Sequence, residues 1–204
     1  SIADVPEVPD LVIVILPAKI VPGIFEELGQ KGVKNVVLVT AGFREIENPE
    51  GEKKIAQIAQ RYGIRFMGPN CLGFLNNHVR TNSNPDSDDT CMLNFTWVSY
   101  NLEPGNVSIA SHSGTFAAHT NFLLPERDLE LSKALSLGNE ADIDICDALE
   151  YFEQDPFTEI ILLYIEEIKR GAKFLELAKR ISPKKPIIAL YVGGSEGGSR
   201  AVSS

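Results

Sequence analysis

Apolar residues along this chain follow two rhythms that take turns. Short, β-branched runs at Leu11–Leu16 (LVIVIL), Asn35–Thr40 (NVVLVT) and Ile64–Met67 read as buried strands. Between them, Val21–Gly29 and Pro49–Tyr62 carry apolar positions at helical spacing, with Ile55, Ile58, Ala59 and Tyr62 marking one face of the second helix. Pro49 sits in a first turn, where proline is tolerated, and Gly63 sits where a C-terminal cap belongs. The pattern predicts a βαβαβ unit.

From Gly68 to Gly105 the rhythm lapses into Asn, Asp and Ser, most of all in Thr81–Thr90 (TNSNPDSDDT). This stretch predicts a loop, or an excursion with short irregular strands. Alternation then resumes with strands at Val107–Ala110, Lys133–Leu137, Glu159–Ile165 and Pro186–Val192. Helices are predicted at about Gly114–Leu124, Ile145–Phe152 and Ala172–Ile181. Strands alternating with helices imply parallel sheets and right-handed crossovers, so the fold class is α/β. We expect two doubly wound domains, residues 1–69 and 70–204, joined near Pro69. Three parallel strands are thin for a domain of this class, so the first domain is expected to begin before Ser1. At the other end, Gly193–Ser204 (GGSEGGSRAVSS) is a Gly/Ser loop with nothing after it to close against.

Composition narrows the partners. With 44% hydrophobic and 23% charged residues the chain is that of an ordinary globular protein. A net charge of −9 argues against nucleic acid, whose backbone draws on clustered Lys and Arg. A small phosphorylated ligand stays open, because backbone N–H groups and helix ends can hold one. The longest apolar run, Leu11–Leu16, is far short of the roughly 20 residues that span a bilayer. The polar N-terminus does not read as a signal peptide, so the expectation is no membrane and a cytoplasmic protein. Three scattered cysteines, Cys71, Cys91 and Cys146, suit free thiols, and no zinc-ligand spacing or other metal site is present.

In open parallel sheets ligands bind beyond the carboxyl ends of strands. The loops there are Ser111–Thr115 (SHSGT), Gly138–Asp144 (GNEADID), Glu166–Glu167 and Gly193–Gly198, all on one edge of the sheet. In SHSGT, Gly114 starts a helix, and Ser113 and Thr115 could cap its N–H groups or bond a ligand oxygen. Ser113 reads equally well as a plain N-cap. GPNCLG, with Asn70 and Cys71 near a possible helix start, follows the same logic. Glu166 is either solvated at the rim or aimed into the cleft, while Glu167 faces the other way if the strand continues. His112 is tempting as a general base or phosphoryl acceptor, but no Asp or Cys is placed locally to support it, so it reads as a polar loop residue that bonds backbone or ligand. His78 and His119 suggest no site. The Walker and dinucleotide glycine fingerprints are absent.

Taken in order, IRFMGPNCLGFLN, SHSGT, SLGNEADIDICDALEYFEQDP, ILLYIEEIKRGAKF and KPIIALYVGGSEGGSRAVSS resemble the NDP-forming acyl-CoA synthetases, relatives of the succinyl-CoA synthetase α subunit. The resemblance implies the second half of a Rossmann-type CoA-binding domain followed by a flavodoxin-like domain. It implies that Pro17, Ala18, Gly42, Phe43 and Glu45 line a CoA cleft. Asn70 and Cys71, with Ser113, Gly114 and Thr115, would stand at two facing helix ends that hold phosphate. Glu166 would orient a phosphorylated histidine. That histidine is expected just past Ser204, so this chain by itself would not turn over. Relatives usually have Gln or Arg where His112 stands.

The implied reaction joins a small acid to CoA through an acyl phosphate and a phosphohistidine. ATP or ADP and Mg²⁺ would sit on an ATP-grasp partner, a β subunit or a fused domain, in an αβ-type oligomer. Two other readings are a non-catalytic CoA-binding regulatory module, such as one fused to an acetyltransferase, and a flavodoxin-like electron carrier.

Overall fold

The structure is a computed structural model and describes residues 2–80, 90–96 and 103–192. The polar run at 81–89 and the Gly/Ser-rich segment from 193 onward, including the Gly193–Gly198 loop, lie outside the described residues.

The first sheet is parallel, in the order β1 (Val12–Val14), β2 (Asn35–Leu38), β3 (Arg65–Met67). Its crossovers are α1 (Val21–Lys31) and α2 (Pro49–Tyr62), which pack on each other. The ends of α2 follow from its sequence. The side chain of Asn48 accepts from the Gly51 N–H, Pro49 sits at the first position, and Gly63 caps the C-terminus at φ 65°. Val36, Leu38 and Phe66 meet Phe25, Leu28, Ile55 and Ile58 from the two helices. Among the described residues, the opposite face of this sheet carries no helix of its own. There Val37, Val39 and Met67 share a core with Leu149 and Phe152 of the second half.

The second sheet has the order β5 (Thr90–Asn94), β4 (Gly73–Arg80), β7 (Leu131–Ser136), β6 (Val107–Ser111), β8 (Ile160–Ile165), β9 (Ile187–Tyr191). The last four are parallel, as the alternation predicts. The first two are antiparallel, and they lie in the stretch for which the sequence predicts a loop or short irregular strands. A buried Asn77, whose Nδ2 donates to the Leu131 carbonyl at 2.8 Å, breaks the hydrophobic alternation there and hides β4 from a pattern reading.

From β6 the chain passes through α3 (Gly114–Leu123) to β7 on one side, then through α4 (Ile145–Gln154) to β8 on the other. After α5 (Gly171–Ile181) comes β9. Phe116 of α3 packs with Leu75, Ile109 and Leu131. Ile145 and Leu149 of α4 pack with Leu177 of α5 and with Ile161, Leu163 and Ile165 of β8. The helices therefore cover both faces, and the carboxyl end of β6 is the point where the winding reverses. No helix among the described residues is long and apolar enough to cross a membrane.

Candidate functional site

Three loops meet at that reversal. Ser113 caps α3, its Oγ accepting from the Phe116 N–H at 3.2 Å, while Ser111 Oγ donates to the Ser113 carbonyl at 2.7 Å. The N–H groups of Gly114 and Thr115 have no partner inside the helix, as at any helix start, and Thr115 is exposed. A Cβ on Gly114 would stand 3.3 Å from that of Leu72, whose N–H donates to Ser136 Oγ at 2.9 Å. Such an N-terminus suits an anion.

The Gly68–Gly73 turn contains a cis Gly68–Pro69 bond and holds Asn70 at φ 56°. No helix begins there. After Leu72 the chain enters β4, so the expectation of a second helix end at Asn70 and Cys71 is corrected. The Cys71 thiol points inward to the Leu38 carbonyl at 3.3 Å, and burial pushes it up to about 12. That excludes it as a nucleophile at neutral pH. Asn70 is exposed, and its N–H donates to the Thr40 carbonyl.

Gly138 opens the third loop at φ 59°, where a Cβ would collide with the Pro69 carbonyl oxygen. Asn139 N–H donates to that same carbonyl and Ala141 N–H to that of Gly68. The loop ends in a capping box, with Asp144 and Asp147 exchanging bonds at the start of α4. Arg170 holds the Asp144 carboxylate through Nε at 2.6 Å. Burial pulls that carboxyl upward, but the guanidinium and two N–H groups hold it below its ordinary value.

Glu166 sits where β8 ends, partly buried, and its N–H donates to His112 Nδ1 at 2.8 Å. Burial raises its carboxyl above the ordinary value, against the pull of His112 and Arg44. The strand stops at Ile165, so alternation does not govern Glu167, which meets Arg44 at 3.0 Å in the open.

His112 bonds backbone, one of the two roles the sequence suggests for it, but from a buried position. Its side chain is 4% exposed, and Nε2 lies 2.7 Å from Glu140 Oε1. Nε2 is nonetheless off the line of a hydrogen bond to that oxygen and has no aligned partner. The sequence hid this pair because Glu140 arrives from the distant loop between β7 and α4, at a left-handed φ of 53°. His78 lies in β4, with Nε2 2.7 Å from the Gly105 carbonyl and its ring stacked on Phe157.

The proposed CoA residues fall on two adjoining loops. A Cβ on Gly42, at φ 110°, would come 2.9 Å from that of Ala18, and Pro17 beside it is exposed. Glu45 accepts N–H bonds from Gly42 and Phe43, and from Asn139 Nδ2 at 2.7 Å. Burial pulls its carboxyl up, but the bond from Asn139 and the backbone N–H groups bring it below the ordinary value. Phe43 is 1% exposed and fills the core of the first sheet, so its side chain cannot line a cleft. Asn139, which the sequence did not single out, ties these loops to the rest. Its carbonyl accepts from Arg44 at 3.2 Å and Lys169 at 2.8 Å.

Residues 1–77 match the CoA binding domain family, and residues 104–204 match the succinyl-CoA ligase like flavodoxin domain. The chain is 44% identical over its whole length to an ADP-forming acetate–CoA ligase of Methanocaldococcus jannaschii, covering 27% of that protein. It is 41% identical, again over its whole length, to the α subunit of ADP-forming acetate–CoA ligase II of Pyrococcus furiosus, covering 42% of it. Among solved structures, the dinucleotide forming acetyl-coenzyme A synthetase 1 of Ca. Korarchaeum cryptofilum, in complex with phosphate and ADP, is similar with a TM-score of 0.85 and 34% identity. That match covers 98% of this chain and 41% of the other. The chain thus spans less than half the length of these relatives. Two family domains in the family's order, on a fold shared with its solved members, place the chain in the NDP-forming acyl-CoA synthetase family.

Proposed function

We propose that this chain is the α-type part of an ADP-forming acyl-CoA synthetase, acting on a small acid and its acyl-CoA in the cytoplasm. The observation that carries the reading is the meeting, at the reversal point of the second sheet, of a capped helix N-terminus with a partly buried carboxylate one strand away. Residues 1–69 would form the second half of the CoA-binding domain, with Pro17, Ala18, Gly42 and Glu45 along the cleft. Residues 70–204 would form the phosphate-handling domain.

In the direction of ATP formation, phosphate attacks the thioester carbonyl. The C–S bond breaks, CoA leaves as the thiol, and an acyl phosphate forms. A histidine nitrogen then takes the phosphoryl group and the acid departs. The Gly114 and Thr115 N–H groups, with Ser113 and the backbone at Asn70 and Cys71, would hold the phosphoryl oxygens. Glu166 would accept the N–H of the other ring nitrogen, fixing which nitrogen is nucleophilic, and its burial strengthens it as an acceptor. ADP and Mg²⁺ belong on an ATP-grasp β subunit or fused domain in an αβ-type assembly.

Full-length protein with its ATP-grasp part, given labelled ATP, tests this directly. Histidine phosphorylation should fall at least about tenfold in Glu166→Gln. Unchanged labelling would remove Glu166 from the mechanism. Tight CoA binding without acid-dependent ADP release would favour a regulatory module instead.

A further inference from the structure

We propose that His112, packed against Glu140, is a positioning residue that fixes Glu166 for its task. The inference rests on the role given to Glu166 above. It starts from how the β6–β8 ladder ends. Ser111 pairs with Tyr164, and the His112 N–H donates to the Tyr164 carbonyl at 3.2 Å. In a continuing parallel ladder the next N–H, that of Glu166, would donate to the His112 carbonyl. The main chain has by then turned into the N-cap of α3 at Ser113. The imidazole fills the gap, with Nδ1 standing 2.8 Å from the Glu166 nitrogen in place of the missing carbonyl.

Accepting that N–H makes Nδ1 the bare nitrogen of the ring, so the proton of the neutral imidazole is on Nε2. Nε2 lies 2.7 Å from Glu140 Oε1, off the line of a hydrogen bond, and the same oxygen accepts the Ile145 N–H at 2.7 Å. The Glu140 backbone is held in turn by Lys169 Nζ, 2.6 Å from its carbonyl. Both ring nitrogens are thus turned to protein groups in a side chain 4% exposed. This leaves His112 no accessible nitrogen with which to carry a phosphoryl group, and gives it the role of setting where Glu166 leaves the strand.

Side-chain length supplies the test, again in full-length protein with its ATP-grasp part. Asn places an acceptor oxygen where Nδ1 stands, whereas Leu places none. We expect His112→Leu to slow histidine phosphorylation on the order of tenfold to a hundredfold, with KM for CoA unchanged. His112→Asn should recover most of the rate. In a Glu166→Gln background His112→Leu should cost nothing further, since it acts only through Glu166. His112→Ser, polar but too short to reach the Glu166 N–H, replaces Leu if that variant does not fold. Wild-type rates in His112→Leu or His112→Ser, equal impairment in His112→Asn, or additive losses in the double variant would each overturn the proposal. If Glu166→Gln alone is impaired while the His112 variants are not, only the positioning role fails. If Glu166→Gln is also unimpaired, the reading of Glu166 fails with it.

Discussion

Glu166 stands where its charge is disfavoured, and the sign of that effect separates a working carboxylate from a structural one. Burial raises its carboxyl in the folded chain, so the protonated form is the one that folding favours. The stability this group contributes is complete below the unfolded value and is lost as pH rises through the raised folded value. At neutral pH the ionised side chain therefore weighs against the fold. Glu166→Gln should melt no lower than the wild type at pH 8, with any advantage shrinking toward pH 5, as calorimetry at the two pH values would read. A variant that melts several degrees lower at pH 8 would mean that the carboxylate supports the fold instead. The sequence displayed Glu166 plainly at the end of an apolar strand, but strand alternation did not reach Glu167, because the strand stops at Ile165. His112, Glu140 and Asn139 were less legible. Their significance lies in burial and in partners brought from distant loops, and no spacing rule encodes either.

Elements were legible where local chemistry and packing agree. In α2 a first-turn proline, a helical apolar face and a glycine cap gave both ends. In β4 they disagree, because polar Asn76, Asn77 and His78 interrupt a strand that pairing with β7 over Gly73–Asn76 and with β5 enforces, Asn77 and His78 falling where the β4–β5 register shifts. The loop after β7 is the element on which the site depends most. Gly138 has a positive φ, and a Cβ there would collide with the Pro69 and Asn70 carbonyls. Neither contact is with a flexible side-chain tip, so one backbone must yield. Gly138→Ala should cost about 1–3 kcal/mol by strain alone. It should also move the Gly68–Asn70 turn away from the α3 N-terminus and slow phosphoryl transfer, while leaving the far β4–β5 hairpin intact. Thermal melting and phosphorylation rates would read the two effects, and a variant with native stability and rate would show that the loops are not locked together.

Across the whole molecule, the join that the sequence suggests near Pro69 does not divide the core. The run Val36–Val39 is buried without interruption, which in a parallel sheet means that both faces are covered. The sequence carried that sign, but not the identity of the second cover, since apolar periodicity does not say which surface a face will meet. One face lies on α1 and α2, and the other belongs to a core shared with α4 and the parallel strands of the second sheet. Polar links follow the same boundary, with Arg65 Nε 2.9 Å from Asp142 and Arg44 reaching Asn139 and Glu167. Two halves that share one core should open together. Met67, 8% exposed in that shared core, is the place to probe this. Met67→Ala should remove about 2–5 kcal/mol. Native-state hydrogen exchange should then show the amides of β2 and of β8 losing protection by the same amount, because both exchange through one opening. Loss confined to β1, β2 and β3 would mean that the first sheet unfolds alone, and that the contact across the join adds little to the stability of the second.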